Sequence, residues 1–203
     1  MIFKDREDAG NKLSEELLKD KNLLKNKKNV VIVSLLRGGA VVGQVVAAKL
    51  QVQNIFLAAT KIGSPLNPEL AIGAVCLNKV YLEKGVIEHL DLEKEMVDLQ
   101  ISLAKFKHNR YIRTFNLRKI RYEKKLHNKI LIIVDDGIAT GATVKAACLF
   151  IRGMNPRKIV LAAPVAPKDF DDRKFDRTII LHKNSSFSSV SQFYESFPQV
   201  ETI

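Results

Sequence analysis

The sequence predicts an α/β fold in which helices flank an open parallel β-sheet. The first indication is a set of apolar, β-branched runs that are typical of buried strands, at residues 29–36, 54–60, 130–134, 158–165 and 177–182. The second is that stretches with helical spacing of apolar residues alternate with these runs, as in parallel strands joined by crossover helices. The third is a short glycine-containing loop after two of the runs, each followed by a helix. Right-handed crossovers would place such loops along one edge of the sheet, within a single domain over residues 1–203.

Helices are predicted from the spacing of apolar residues and from stop signals. Residues 5–20 have acids early, lysines late and apolar residues four apart, which indicates an amphipathic helix. Further helices are predicted over residues 40–50, 141–154 and 189–197, the second of them stopped by Asn155-Pro156. In residues 91–106 an apolar seam recurs at alternating spacings of four and three, at Leu92, Met96, Leu99, Leu103 and Phe106. This seam predicts packing in the core or against a second copy rather than a ligand site.

The segment that follows residues 130–134 has the composition of an anion site. Asp135 and Asp136 stand where the strand would leave the sheet, and a loop of glycine and threonine leads from them into a helix. Unpaired amides and the helix dipole favour negative charge at a helix start, and glycine lets the backbone approach a phosphate. Two acids would repel that phosphate on contact, but one sugar-length away they can accept hydrogen bonds from vicinal hydroxyls. The pattern predicts a ribose 5-phosphate site; the alternative is an ordinary Asp-Asp-Gly turn with capping threonines.

Two other positions extend this prediction to a second anionic group. Arg37-Gly38-Gly39 follows residues 29–36 and opens a helix, so it repeats the arrangement of strand, tight loop and helix. Its arginine offers a fixed fork for phosphate oxygens, although a glycine-rich helix start with a solvated arginine is the alternative. Lys61 follows the run at residues 54–60 and would reach the same edge, where ligands of such sheets bind. The P-loop motif fails here because Gly141 is followed by Ala142.

The composition limits the partners and the compartment. The chain has 33 Lys and Arg against 22 Asp and Glu, a net charge of +11, which attracts polyanions. No apolar run approaches the roughly 18 residues that cross a bilayer, and residues 1–8 are charged where a signal peptide is apolar. We therefore expect a cytoplasmic protein without membrane association. Cys76 and Cys148 lie in apolar segments and are expected to be buried free thiols, and the four histidines lack metal-ligand spacing.

The motif Val134-Asp-Asp-Gly-Ile-Ala-Thr-Gly-Ala-Thr143 resembles a known signature. Type I phosphoribosyltransferases bind phosphoribosyl diphosphate (PRPP) with such an apolar strand, two acids and a Thr-Gly-x-Thr loop. The chain is most similar to bacterial phosphoribosyltransferase-domain proteins whose base substrate is not established. The similarity includes residues 3–10, residues 37–39, residues 61–74 and residues 193–198, and it is least clear between about residues 80 and 128.

This resemblance implies transfer of ribose 5-phosphate from PRPP to a nitrogenous base, with release of diphosphate and with Mg²⁺ as cofactor. Asp135 and Asp136 would hold the ribose hydroxyls and, mainly through the substrate, the metal. The diphosphate would be neutralised by Arg37 and Lys61 and cradled by Arg37, Gly38 and Gly39, with a non-proline cis peptide expected between Leu36 and Arg37. The 5-phosphate would be bound by Gly137, Ile138, Ala139, Thr140, Gly141, Ala142 and Thr143.

The resemblance also implies mobile and covering segments around the site. A flap and helical insert would occupy about residues 76–128, and a C-terminal hood about residues 183–203, where Phe193 and Tyr194 would cover the base or simply anchor the terminus. Enzymes for 6-oxopurines carry a third acid three residues after the acidic pair. That position is Ala139 here, which disfavours hypoxanthine and guanine as substrates.

The basic stretch at residues 105–129 leaves the function open to alternatives. It holds ten Lys or Arg and one acid, with aromatic residues between them. A solvated flap, a phosphate clamp and an RNA-binding strip are the three interpretations, in that order. Besides the enzyme, the sequence is compatible with a non-catalytic PRPP or nucleotide sensor that binds RNA through Arg118, Lys119 and Arg121, and with another phosphate-ester enzyme on the same scaffold. The expected assembly is a homodimer, with PRPP and a nucleobase-like acceptor as ligands.

Overall fold

The computed structural model describes residues 2–117 and 119–201, without the side chains of residues 119–121. Within this range the strands are β1 (Val30–Leu36), β2 (Gln53–Ala58), β3 (Thr60–Gly63), β4 (Ala71–Cys76), β5 (Lys79–Leu82), β6 (Ile130–Val134), β7 (Lys158–Pro167) and β8 (Arg177–Asn184). The α-helices are α1 (Arg6–Leu18), α2 (Lys21–Lys25), α3 (Gly38–Leu50), α4 (Lys84–His89), α5 (Lys94–Thr114), α6 (Lys119–Leu126) and α7 (Ala142–Arg152). Two 3-10 turns lie at Lys27–Asn29 and Val190–Phe193.

Five of the strands form one parallel sheet in the order β2-β1-β6-β7-β8. The parallel sheet flanked by helices that the sequence predicts is thus confirmed. Successive residues of a strand face opposite sides of the sheet. Ile32 and Ile132 pack with α1 and α3, whereas Val33 and Ile133 pack with α7 on the other side. Each such buried side chain stabilises the fold by about 1.5–3 kcal/mol, so both layers are held firmly against the central strands.

A second, antiparallel sheet of order β3-β4-β5 lies beside the large one. The apolar run at residues 54–60 predicts a single strand and therefore gives no sign of this sheet. The strand in fact ends at Ala58, and the chain enters β3 at Thr60. Lys61 therefore lies within β3 rather than after the last strand residue. The rest of the predicted insert contains β5 and helices α4, α5 and α6.

Helix α5 packs on this small sheet through Val97, Ala104 and His108. The imidazole of His108 is buried between two partners, with Nδ1 2.9 Å from the hydroxyl of Thr60 and Nε2 2.8 Å from the amide nitrogen of Leu77. Since that amide donates to Nε2, the neutral ring carries its proton on Nδ1 and donates to Thr60. Burial lowers the pKa of His108, so the ring remains a neutral structural link.

Most of the apolar seam predicted at residues 91–106 does not pack in the core. Leu92 belongs to the apolar cluster of the small sheet. The other four members are exposed on the opposite side of α5: Met96, Leu99, Leu103 and Phe106. Of the two predicted alternatives, packing in the core is wrong for these four side chains, and packing against a second copy stays a prediction.

The C-terminal segment is extended apart from the 3-10 turn, so the predicted helix over residues 189–197 is limited to Val190–Phe193. Phe3 pairs with Tyr194 as a parallel bridge, and its amide donates to the carbonyl of Phe193. Both cysteines are buried and free, as expected. In the described part of the chain no helix combines the length and the apolar character that crossing a membrane requires.

Candidate active site

The two predicted loops meet at the carboxyl edge of β1 and β6. These strands are direct neighbours, with Ser34 opposite Val134, so the loops that follow them leave the sheet side by side. A Cβ on Gly38 would lie 1.8 Å from Oδ2 of Asp136, and one on Gly39 would lie 2.8 Å from the Cα of Asp135. Only glycine allows this approach. The acidic pair and the Arg37-Gly38-Gly39 loop therefore form one site.

Asp135 and Asp136 each bind protein through one carboxylate oxygen. The amide of Asp136 donates to Oδ1 of Asp135 at 3.0 Å, and Oδ2 of Asp136 accepts from Arg6 at 2.7 Å. Within the described residues, these are the contacts of the two carboxylates with other protein groups. Burial raises the pKa of the Asp135 carboxyl well above its ordinary value, and the neighbouring charge of Asp136 adds to the effect. The two carboxyl groups are also hydrogen-bonded to each other, which adds to the rise in the pKa of Asp135.

Arg6 is the site residue that the sequence analysis missed. Its Nε donates to Asp136, its Nη1 donates to the carbonyl of Pro198 at 2.7 Å, and its guanidinium lies 3.7 Å from the ring centre of Phe197. The side chain is 8% exposed. A signal was present in the sequence, because Arg6 begins the buried face of α1, which continues through Ala9, Gly10, Leu13 and Leu17. A cation at the start of an apolar stripe predicts a buried anionic partner.

The loop from Gly137 to Thr143 provides the expected amide groups at the start of α7. Ala139 and Thr140 are exposed, and Gly141 has a left-handed backbone with φ of 80°. No protein acceptor is recorded, among the described residues, for the amides of residues 137, 139–141 and 143. Two amides are less available: that of Ala142 is 3.4 Å from the Thr140 hydroxyl, a marginal hydrogen bond, and that of Ile138 donates to the carbonyl of Val165 at 2.8 Å.

Ile138 is therefore an anchor of the loop rather than a phosphate ligand. Its side chain is buried in the core on the α7 side of the sheet, and its amide is satisfied by β7. The prediction that its amide grips the 5-phosphate is corrected. Because this anchor fixes the start of the loop, the exposed residues Ala139 and Thr140 follow directly from a fixed position.

Arg37 and Tyr111 each line two cavities. The peptide between Leu36 and Arg37 is cis, as the resemblance implies. One cavity, of about 430 Å³, is lined by Arg6, Leu36, Arg37, Gly38, Tyr111, Phe197, Gln199 and Val200. The other, of about 380 Å³, is lined by Arg37, Thr60, Lys107, Arg110, Tyr111, Thr114, Phe115 and Glu201. The second cavity is rich in cations and suits an anionic ligand.

Lys61 does not line either cavity. Its ammonium group lies 3.0 Å from Oε2 of Glu69 and 3.1 Å from the Glu69 carbonyl oxygen, on the loop between β3 and β4. Thr60, its neighbour on β3, is the residue that reaches the cation-rich cavity. The structure thus brings together Arg37, Gly38, Gly39 and the two aspartates but not Lys61, whose contact with diphosphate stays a prediction.

Phe193 and Tyr194 anchor the C-terminal segment instead of covering a cavity. Phe193 is 3% exposed and Tyr194 is 7% exposed, and both pack with Phe3. The hydroxyl of Tyr194 donates to the carbonyl of Asp136, and burial raises the pKa of Tyr194, so the hydroxyl remains a donor. Their predicted contact with a base is therefore corrected. Phe197, from the same segment, lines the cavity that includes Arg6.

The donor set fits a hard divalent ion that is bound partly by substrate. No group of three or more His, Cys, Asp or Glu side chains is arranged for a metal in residues 2–117 and 119–201. Asp135 and Asp136 supply carboxylate oxygens, which Mg²⁺ prefers, and this ion commonly keeps water and phosphate oxygens as its other ligands. The two acids thus fit Mg²⁺ only in the company of a phosphorylated ligand.

The chain was compared with known proteins and solved structures. The sequence profile of the phosphoribosyl transferase domain matches residues 4–194. A protein of Mycobacterium tuberculosis, provisionally named a phosphoribosyl transferase, is 36% identical over 211 residues; the match covers 98% of this chain and 44% of that relative. The chain therefore spans less than half the length of this curated relative.

Solved structures agree with the sequence match. The structure of the protein TT1426 from Thermus thermophilus has a TM-score of 0.70 at 27% identity and covers 99% of this chain and 94% of that one. A purine phosphoribosyltransferase from Pyrococcus horikoshii has a TM-score of 0.50 at 13% identity, with 96% and 91% covered, and shows the shared fold. With the loop geometry and the profile match in agreement, the chain belongs to the phosphoribosyl transferase domain family.

Proposed function

We propose that the chain transfers ribose 5-phosphate from PRPP to a nitrogenous base and releases diphosphate. The observation that carries this proposal is the direct contact between the acidic pair and the Arg37-Gly38-Gly39 loop. It sets a place for a diol beside a place for a diphosphate. The amides of residues 139–141, for which no acceptor is recorded among the described residues, are available for a second phosphate. PRPP has these three groups in this order around one sugar ring.

Each part of the site has a distinct task in this reaction. The carboxylates of Asp135 and Asp136 accept hydrogen bonds from the two ribose hydroxyls, and their charge stabilises the cation that develops on the sugar. The amides of Ala139, Thr140 and Gly141 bind the 5-phosphate at the start of α7. Mg²⁺, held by the aspartates and substrate oxygens, would neutralise part of the diphosphate charge. Holding all three groups at once orients C1 for displacement.

Arg6 positions Asp136 for this task. Its bond to Oδ2 fixes the orientation of the carboxylate and uses one of the two carboxylate oxygens. The same guanidinium touches Phe197 and the carbonyl of Pro198. Arg6 therefore links the orientation of the acid to the placement of the C-terminal segment beside the cavity.

The cations of the second cavity support a phosphate clamp as the role of part of the basic stretch. Arg110 and Arg37 line the same cavity of about 380 Å³, with Lys107 also in its wall. Two guanidinium groups facing one space suit a diphosphate, since each can bind phosphate oxygens through two donors. The RNA alternative relies on Arg118, Lys119 and Arg121; Arg118 and the side chains of the other two lie outside the described residues.

The acceptor is proposed to be a base other than hypoxanthine or guanine. Ala139 is exposed in the loop at the position where enzymes for 6-oxopurines carry an acid. A methyl group there can neither accept a proton from such a base nor polarise it. We expect orotate-like or adenine-like acceptors to react in preference.

The experiment that tests the proposal is diphosphate release from PRPP with Mg²⁺ and a panel of nucleobases. We expect release with one member of the panel. The double variant Asp135→Asn, Asp136→Asn should lose PRPP binding by calorimetry while the circular dichroism spectrum is unchanged. Asp98→Asn, an exposed acid on α5, is the matched control and should bind PRPP as the unsubstituted chain does. Unchanged PRPP affinity in the double variant would contradict the site assignment.

The same assay separates the enzyme from a sensor. A sensor would bind PRPP through the same aspartates and release no diphosphate with any base. Binding without turnover across the whole panel would therefore favour the sensor and reject the transferase.

A further inference from the structure

Helix α5 carries an apolar stripe that the described structure leaves uncovered. Met96 is 46% exposed, Leu99 58%, Leu103 49% and Phe106 67%. These are four of the nine large apolar side chains that are exposed in residues 2–117 and 119–201. The small sheet already covers the other face of the helix, at Val97, Ala104 and His108. The helix therefore has two apolar faces, of which only one is used within the chain.

The spacing of the stripe indicates what covers it. The four residues follow one another at intervals of three, four and three, which is the a/d pattern of a helix that packs lengthwise against another helix. The helix has 21 residues and is about 30 Å long, enough for several layers of such contacts. A flat or globular partner would not require this narrow seam. The occupant suited to the stripe is a second long helix.

We propose that this second helix is α5 of another copy of the chain, packed antiparallel about a two-fold axis. The stripe is symmetric about its own midpoint, between Leu99 and Leu103. Reversing the helix therefore places Met96 opposite the second copy's Phe106, and Leu99 opposite the second copy's Leu103. Met96 and Leu103 are a positions of the repeat, and Leu99 and Phe106 are d positions. Each layer then pairs an a position with a d position, as antiparallel helix pairs require. The arrangement closes on itself, so it gives a dimer and not a chain of copies.

The charges along α5 favour the antiparallel direction. Its first part carries three acids, Glu93 at the N-cap, Glu95 and Asp98, against one cation, Lys94. Its second part carries four cations and no acid: Lys105, Lys107, Arg110 and Arg113. A parallel pair would place like charges side by side over the whole length. An antiparallel pair places the acidic part of each helix beside the basic part of the other.

One charged contact defines the register of this pair. Glu93 and Lys107 both flank the stripe on the same edge, at equivalent positions of the repeat. In the antiparallel arrangement Glu93 lies beside the second copy's Lys107, and the contact occurs twice because of the two-fold axis. Lys107 also lies in the wall of the cation-rich cavity, so the interface borders that cavity.

Sedimentation equilibrium over a dilution series tests the interface. We expect the unsubstituted chain to have twice the mass of one chain, and Leu99→Glu and Leu103→Glu to have the mass of one. Both side chains are exposed in the single chain, so the far-ultraviolet circular dichroism should not change. Leu66→Glu is the control, because Leu66 is 76% exposed but lies far along the chain from α5, and this variant should remain a dimer. A single-chain mass for the unsubstituted protein throughout the series, or a dimer that survives both glutamates, would overturn the proposal.

A charge-exchange cycle tests the direction and the register. Glu93→Lys alone and Lys107→Glu alone should each weaken the dimer, by about 2- to 5-fold in dissociation constant, as exposed ion pairs do. The double variant Glu93→Lys, Lys107→Glu restores opposite charges at both contacts and should regain the original dissociation constant. If the double variant is weaker than both single variants, the antiparallel register is wrong. None of these measurements depends on transferase activity.

Discussion

At the scale of single residues, the site depends on a cation placed where an apolar side chain is expected. Arg6 starts the buried face of α1 and neutralises Asp136, while Asp135 beside it has no cation of its own among the recorded contacts. Two acids and one arginine in a largely buried place are costly to the fold. Such an arrangement is stable only because the arginine also binds a carbonyl and stacks on Phe197.

Replacing Arg6 by alanine should destabilise the protein. The change leaves Asp136 without its partner at 2.7 Å and brings two uncompensated carboxylates together. We expect a loss of about 3 kcal/mol in the free energy of unfolding. Urea denaturation measures it, with Arg6→Lys as the control that keeps the charge and loses the second donor. A loss below that of the control would show that the ion pair contributes little.

Replacing Asp135 by asparagine should stabilise the protein at neutral pH. The folded chain holds the proton of Asp135 more tightly than the unfolded chain does, because burial raises the pKa of this carboxyl. As the pH rises from the unfolded pKa of about 3.9 through the raised folded value, the unfolded state loses its proton first and stability falls. Asparagine does not titrate. The gain in Tm of the Asp135→Asn variant over the unsubstituted chain should therefore be absent below the unfolded pKa, and it should grow as the pH rises to the folded pKa.

Thermal melts at several pH values test this expectation. Asp98→Asn serves as the control, because it removes the carboxylate of an exposed residue and leaves the buried acids unchanged. An Asp135→Asn variant that melts below the unsubstituted chain at pH 7 would show that the carboxylate is compensated in the fold by contacts other than those described.

At the scale of elements, two strand–loop–helix units provide the site. Both were predictable, because an apolar run that ends in Asp-Asp-Gly or Arg-Gly-Gly carries its own strand and turn signals. The small sheet was not predictable in the same way, because Ala59 interrupts residues 54–60 without a proline or glycine. Periodicity likewise located the stripe on α5, but it gives the apolar face of a helix and not the element that covers it.

Gly141 illustrates how a loop constrains a helix start. Its φ is 80°, and a Cβ there would lie 2.3 Å from the ring of Phe170. We expect Gly141→Ala to lower the free energy of unfolding by about 1–3 kcal/mol, the usual cost of such a backbone conformation for a residue with a side chain. The affinity for PRPP should fall as well, because the amides of the loop lose their alignment.

Gly85→Ala provides the matched control. Gly85 lies inside α4, and no atom comes within 4 Å of the Cβ that alanine would add. Alanine at such a position should raise the free energy of unfolding by up to about 1 kcal/mol. Opposite signs for the two substitutions in urea denaturation would support the loop geometry, and equal signs would contradict it.

At the scale of the whole molecule, the functional surface is assembled from distant parts of the chain. The acidic pair comes from the middle of the sequence, Arg6 from its first helix and Phe197 from its last segment. Local sequence patterns identify the acidic pair and mark Arg6 as a cation that needs an anionic partner. They do not show that Arg6 and Phe197 meet the acidic pair, because only tertiary packing brings these segments together. The relative from Mycobacterium tuberculosis extends beyond the matched region, which covers 44% of it.

If α5 pairs with a second copy, thermal stability should depend on protein concentration. Association stabilises the folded state by mass action, so the Tm of the unsubstituted chain should rise on concentration. Leu103→Glu should show a constant Tm over the same range. A flat dependence for both proteins would argue against coupling between assembly and folding.

The contacts of Arg6 also bear on the order of folding. Its hydrogen bond to Asp136 spans 130 positions of the chain, and its hydrogen bond to Pro198 spans 192 positions. Both bonds therefore form only after the most distant segments of the chain have docked. A partly folded intermediate with the sheet alone would possess both glycine loops yet lack an oriented Asp136. Substrate present during refolding would then leave the rate of the early collapse unchanged. It would bind only to molecules that had completed the final docking step.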